Sequence, residues 1–346
     1  MAEIRAAAQA RSDSFKANLK KINELEPTKF EPDHETLNKF SYQAMFQVDA
    51  FDALKQALAI QSRLSRPTIT AAETAMFEAL HSGQAGKYTF AEKALIASGV
   101  NDAAKRKQYL AKIDHIVAAA KPETDKRTTI EAKADAICSY LFAGPMKAGY
   151  DEKAFSLGQL LDDGHYSCVS SCVMFVLVAH GVGLDVGAVV VPGHIVARVP
   201  GYDVQTTSGR IYRSTPFRLQ DIQAAVSKDK GLLAKFDPNH PYHEVGDSGI
   251  LFEIYQNIAN DARDAKHFDQ AAVGALKEVI FDPTMPSAGH DVKVYLNDWF
   301  NASTTGRDAA TAAAIAQLYR KMARDPGLAD DMDKCVVNLK RQLSKQ

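Results

Sequence analysis

Asp163-Gly164-His165-Tyr166-Ser167-Cys168-Val169-Ser170-Ser171-Cys172, followed further on by Pro192-Gly193-His194, is the stretch whose reading decides the fold. From Cys168 to His180 the chain has no Gly or Pro and is mostly apolar. A helix that is hydrophobic all round has to be buried. Gly181 and Gly183 end it. The period then changes. Residues 186–191 are a short β-branched run, residues 194–199 a second strand, and residues 203–207 a third, after the Pro200-Gly201 turn. A buried helix followed by antiparallel strands predicts an α+β unit.

The same stretch carries candidate chemistry. Gly164-His165-Tyr166-Ser167 is no extension of the apolar helix, so Cys168 falls in its first turn. Free N–H groups there favour a thiolate, the nucleophilic form of cysteine, and the expectation is a lowered Cys168 pKa. Cys172, one turn further in among Val169, Val173 and Val176, reads as an inert core thiol. His194 follows a Pro-Gly bend and stands at a strand start. A base needs an orienting partner on its other nitrogen. Asp203, Gln205 and Thr207 share one face of the next strand and supply candidates. A zinc site from His165, Cys168, Cys172 and His194 is the competing reading. Its spacing is not that of the standard fingers or ribbons, so no metal is expected.

Working outward, the chain has 346 residues, 46% of them hydrophobic and 24% charged, with a net charge of -1. No charge excess points to nucleic acid or an anionic membrane surface. No apolar run is long enough to span a bilayer. The N-terminus is charged, without a signal-peptide core, and a cytoplasmic location is the default expectation; removal of an export signal would leave a similar start. Four cysteines are too few for a disulfide scaffold.

Three regions are expected. Residues 1–125 read as helices: one over 1–25, one over 35–64, two with capping boxes at Thr70-Ala-Ala-Glu73 and Thr89-Phe-Ala-Glu92, and one over 102–120. Lys121-Pro122-Glu123-Thr124-Asp125 reads as a boundary. Residues 126–245 form the α+β core, opened by a helix over 129–142. Residues 246–346 are helical again, with His240 and His243 as loop histidines ahead of them. Asp282-Pro283 and Asp325-Pro326 each end an Ala-rich helix, which resembles paired tetratricopeptide-type repeats of longer period. Trp299, the single tryptophan, is expected to anchor these helices.

Gly-x-Tyr-x-Cys-x-Ser-Ser, the apolar helix, Gly-x-Gly-Leu, Pro-Gly-His and a strand ending in Thr-Thr-Ser-Gly together resemble the bacterial transglutaminase-like superfamily over roughly residues 128–215. The resemblance implies a papain-like core using a Cys, a His and a carboxylate, with no cofactor. Carried over, the nucleophile is Cys168 and the base His194. The family's acid position is occupied by Gln205, and Asp203 is the nearby acid that could substitute. An amide can orient a histidine but cannot neutralise the imidazolium. Oxyanion donors would be the Cys168 N–H with Gln159, His165 or Tyr166. The implied activity is attack on an amide or peptide bond through a thioester, by hydrolysis or acyl transfer. The alternative is a degenerate relative that binds peptides or proteins. The expected partners are a peptide or protein substrate and a protein on the C-terminal helices.

Overall fold

A computed structural model describes residues 41–64, 69–191, 193–214, 243–285 and 287–345. The helix expected over 1–25, and His240, lie outside them. The first helices are α1 (Tyr42–Met45), α2 (Ala50–Gln61), α3 (Ala71–His81) and α4 (Phe90–Ala97). Both expected capping boxes form at the starts of α3 and α4. The single helix expected up to residue 64 is interrupted. Phe46 leaves the helical path to make a β-bridge with Ala323. Asp49 then starts α2 by accepting from the N–H groups of Phe51 and Asp52. Pairing with a distant segment overrides local helix propensity here.

α5 (Ala103–Asp125) and α6 (Ile130–Ala143) follow. Residues 121–125, expected as a boundary, form the last turn of α5, which ends at Asp125. Proline removes one intrahelical bond there. Thr124 is buried and its hydroxyl donates to the carbonyls of Ala120 and Lys121, closing the turn.

The central unit begins with β1 (Gly149–Tyr150), α7 (Leu157–Asp163) and β2 (His165–Tyr166), β1 and β2 pairing in parallel. α8 (Cys168–Gly181) is the buried helix, and Val169 and residues 172–176 are no more than 1% exposed. It packs against α5, α6 and the sheet. β3 (Gly187–Val191), β4 (His194–Val199), β5 (Tyr202–Gln205), β6 (Arg210–Arg213) and β7 (His243–Val245) form one antiparallel sheet in the order β6-β5-β4-β3-β7. His243 therefore opens an edge strand rather than lying in a loop. Val199 pairs with Tyr202 across Pro200-Gly201, a two-residue turn in which Gly201 takes φ +84°. That conformation favours glycine.

The C-terminal helices are α9 (Asp247–Asp264), α10 (Phe268–Phe281), α11 (Ala288–Thr305), α12 (Ala309–Met322) and α13 (Gly327–Leu343), each packed on the next. Two connections repeat. Lys266 between α9 and α10, and Arg307 between α11 and α12, both adopt left-handed φ near 60°. In each, the next residue donates back into the preceding helix, His267 to Ala262 and Asp308 to Ser303. α10 ends at Phe281 and α12 at Met322, ahead of the two Asp-Pro pairs. Trp299 is buried in α11. α2 packs on both α10 and α12, which joins the N- and C-terminal helices, while α4 and α9 pack on α8 of the central unit.

Candidate active site

Local sequence places Cys168 at the mouth of α8. Gly164 ends α7 with φ +82°. Ser167 is the N-cap of α8, and a reciprocal pair of bonds between Ser167 and Ser170 closes its first turn. The Ser170 hydroxyl also donates to the buried Ala154 carbonyl at 2.5 Å. Cys168 is the first helical residue and half-buried, whereas Cys172 is fully buried.

The Cys168 sulfur lies against the start of β4. The backbone N–H groups of Ile195, Val169 and Cys168 itself are directed at it. These donors lower the thiol pKa, as expected for a helix start, but they do not prevail. Desolvation first, and the charge of Glu253 second, push the Cys168 pKa up to about 11. The expected lowering is thus reversed: the cost of burying a thiolate outweighs the helix start. Burial also drives the Cys172 thiol far above its ordinary range.

His194 is 6% exposed, and its Nε2 lies 2.7 Å from Gln205 Oε1. Thr207 Oγ1 donates to the same oxygen at 3.1 Å. A carbonyl oxygen only accepts, so Nε2 carries the proton and Nδ1 the lone pair. Burial lowers the His194 pKa to about 4, against a smaller upward effect of Gln205. The imidazole is therefore neutral at neutral pH.

Asp203 does not reach this pair. It lies opposite Arg198 in the β4–β5 register and takes the guanidinium by two bonds, at 2.6 and 2.9 Å, with the Ser214 hydroxyl on the same carboxylate. Arg198 also pairs with Glu244 on β7. The alternative orienting role for Asp203 is corrected accordingly: its charge is consumed by a cross-strand ion pair. The other candidates lie in the segment that leads into α8. His165 Nδ1 is 3.2 Å from Asp163 on the surface. The Tyr166 hydroxyl donates to the Thr207 carbonyl at 3.3 Å. Gln159 sits in the first turn of α7, its backbone N–H on the Ser156 hydroxyl. Among the described residues, no group of three or more His, Cys, Asp or Glu side chains is arranged to hold a metal ion.

Three nearby residues were not read from sequence as parts of this site. Glu253 is a buried acid on α9 whose charge acts on both Cys168 and Cys172. Its signal was a lone acid inside the apolar run Ile250-Leu-Phe-Glu-Ile-Tyr255. Tyr150 is 43% exposed and packs edge-on against Tyr166; burial raises its pKa, and Cys168 is near enough to add to that shift. Thr206 ties the exit of β5 to α8 through Ser171, hydroxyl to hydroxyl at 2.9 Å.

A cysteine at the start of a buried helix, beside a strand bearing an amide-held histidine, defines a papain-like α+β class. Residues 107–242 match the family model described as the transglutaminase-like superfamily, and the chain carries a domain of that superfamily. The matched segment starts inside α5, ahead of the boundary expected at residue 125. No curated protein and no solved structure matched the chain.

Proposed function

We propose that this protein is a cysteine-dependent enzyme acting on amide or peptide bonds, with Cys168 as nucleophile, His194 as base and then acid, and Gln205 as orienting residue. The observation that carries the reading is the bond from His194 Nε2 to Gln205 Oε1, which leaves the basic lone pair on Nδ1 of a ring adjoining the peptide that meets the Cys168 sulfur. With the thiol protonated and the imidazole neutral, proton removal accompanies attack rather than preceding it. The sulfur adds to the carbonyl carbon while its proton passes to Nδ1. The oxyanion faces backbone donors, the Cys168 N–H first among them. Collapse breaks the C–N bond, His194 returns the proton to the leaving amine, and a thioester remains. Water, activated by His194, releases the acid. An amine in its place would complete a transfer. Hydrolysis is the simpler outcome because water needs no second site.

The alternative is a degenerate transglutaminase-like protein that binds peptide or protein partners, with its C-terminal helices as the docking surface. The Cys168 pKa near 11 and the His194 pKa near 4 favour it, since neither group rests in the charged state of a thiolate–imidazolium pair.

The two readings separate on the chemistry of one thiol. Iodoacetamide alkylation of the Cys168 peptide, followed by mass spectrometry from about pH 4 to 9, is expected to be slowed about 100-fold or more in His194→Ala, the usual scale of general-base assistance. Cys168→Ala identifies the peptide and controls for the exposed Cys335. Equal alkylation of Cys168 in the native chain and His194→Ala rejects the enzyme and leaves the binding protein.

A further inference from the structure

We propose that Thr207 is a positioning residue that sets the tautomer of His194 by fixing the orientation of the Gln205 amide. The inference rests on the assignment of His194 as base and deepens it. Gln205 differs from a carboxylate in one decisive respect. A carboxylate presents an acceptor whichever way it turns. An amide presents an acceptor on one side and a donor on the other. With Oε1 toward the ring, Nε2 is protonated and Nδ1 can take the thiol proton. With the NH2 toward the ring, Nε2 must accept, Nδ1 carries the proton, and the base is lost. A neutral imidazole permits both states, and His194 is neutral at neutral pH.

A contact on the amide itself biases the choice between them. The Thr207 hydroxyl is that contact, donating at 3.1 Å to the oxygen already bonded to His194. Thr207 is itself held from the nucleophile's side: the Tyr166 hydroxyl donates to its carbonyl at 3.3 Å, two residues before Cys168. The preceding Thr206 is bonded to Ser171 on α8. The β5–β6 turn is closed by the N–H groups of Ser208 and Gly209, both donating to the Gln205 carbonyl. A chain of contacts thus runs Tyr166–Thr207–Gln205–His194, linking the segment before Cys168 to the base. It also accounts physically for the Thr206-Thr207 pair: one hydroxyl joins strand to helix, the other orients the amide.

The test reads the tautomer directly. Nitrogen-15 NMR of histidine-labelled protein at neutral pH, assigned with His194→Ala, is expected to show His194 protonated at Nε2 in the native chain. Thr207→Val is expected to lose that single state, giving the Nδ1-protonated form or a mixture, and Thr207→Ser is expected to restore it. Thr207→Ala replaces Thr207→Val in the comparison if that variant does not fold. Two results overturn the proposal: a native His194 protonated at Nδ1, or an Nε2 tautomer unchanged when the hydroxyl is removed. The readout does not depend on turnover. A tautomer shift in a protein whose Cys168 alkylation ignores His194 would keep the positioning role and reject the enzyme. An unchanged tautomer with His194-dependent alkylation would do the reverse.

Discussion

At the scale of single residues, His194 makes stability depend on pH in a definite direction. Its folded pKa is about 4 against an ordinary 6.5, and burial is the main cause. Between these values the unfolded chain binds a proton that the folded chain refuses. The contribution is therefore complete above about pH 6.5 and is lost as pH falls toward 4, where it amounts to on the order of 3 kcal/mol. Urea unfolding should show the native chain losing about 2 kcal/mol more than His194→Gln between about pH 7 and about pH 5. Parallel losses in the two proteins would mean that the imidazole is not desolvated as its surroundings indicate. Cys168 works in the opposite direction. Its raised pKa makes the folded state hold a proton longer, so its effect on stability falls above about pH 9 and does not intrude on the acid window.

At the scale of elements, what was legible in the sequence was local. Cys168 in the first turn of α8, the capping boxes at Thr70 and Thr89, and the Pro200-Gly201 hairpin each rest on residues close in sequence, and each appears in the fold. What was not legible depends on partners remote in sequence. Phe46 meets Ala323, Asp203 is claimed by Arg198 across the hairpin, and the charge of Glu253 acts on Cys168 from another helix. The lowered thiol pKa was expected for the same reason: the helix start was visible, and the surroundings that desolvate its first residue, with Glu253 beyond them, were not. Helix contacts follow this pattern too. Gly274 in α10 looks like a weak point in an Ala-rich helix, yet a Cβ there would stand 2.8 Å from the Ala259 Cβ and 3.2 Å from its Cα. The glycine lets α9 and α10 approach closely. Gly274→Ala should therefore destabilise by about 1–3 kcal/mol through overpacking, although alanine is the better helix former. A thermal melt that rises in this variant would show that the two helices separate at little cost.

At the scale of the whole molecule, the flanking helical regions are joined by a buried ion pair. Glu73 lies on α3 and Lys277 on α10, both nearly inaccessible, with Lys277 Nζ 2.8 Å from Glu73 Oε1. The Tyr255 hydroxyl, from α9, donates to the same oxygen at 3.0 Å, and the other oxygen accepts the Thr70 N–H. The capping carboxylate of an N-terminal helix is thereby the anchor of two C-terminal ones. Desolvation lowers the Lys277 pKa, and the Glu73 carboxylate opposes that shift by its charge and hydrogen bond. Attraction and desolvation nearly cancel in such a pair, but removing one partner leaves the other stranded. Lys277→Met should cost about 3–5 kcal/mol, whereas Glu73→Gln combined with Lys277→Met should recover most of it. The measurement is a double-mutant cycle by urea denaturation, followed by separate probes of the two regions: Trp299 fluorescence for the C-terminal helices and hydrogen exchange of α3 for the N-terminal ones. Coincident transitions are expected in the native chain, because α3 cannot leave without exposing Lys277. If α3 exchanges freely while Trp299 stays buried, the pair does not couple the regions, and additive losses in the cycle would make the same point from the energetic side.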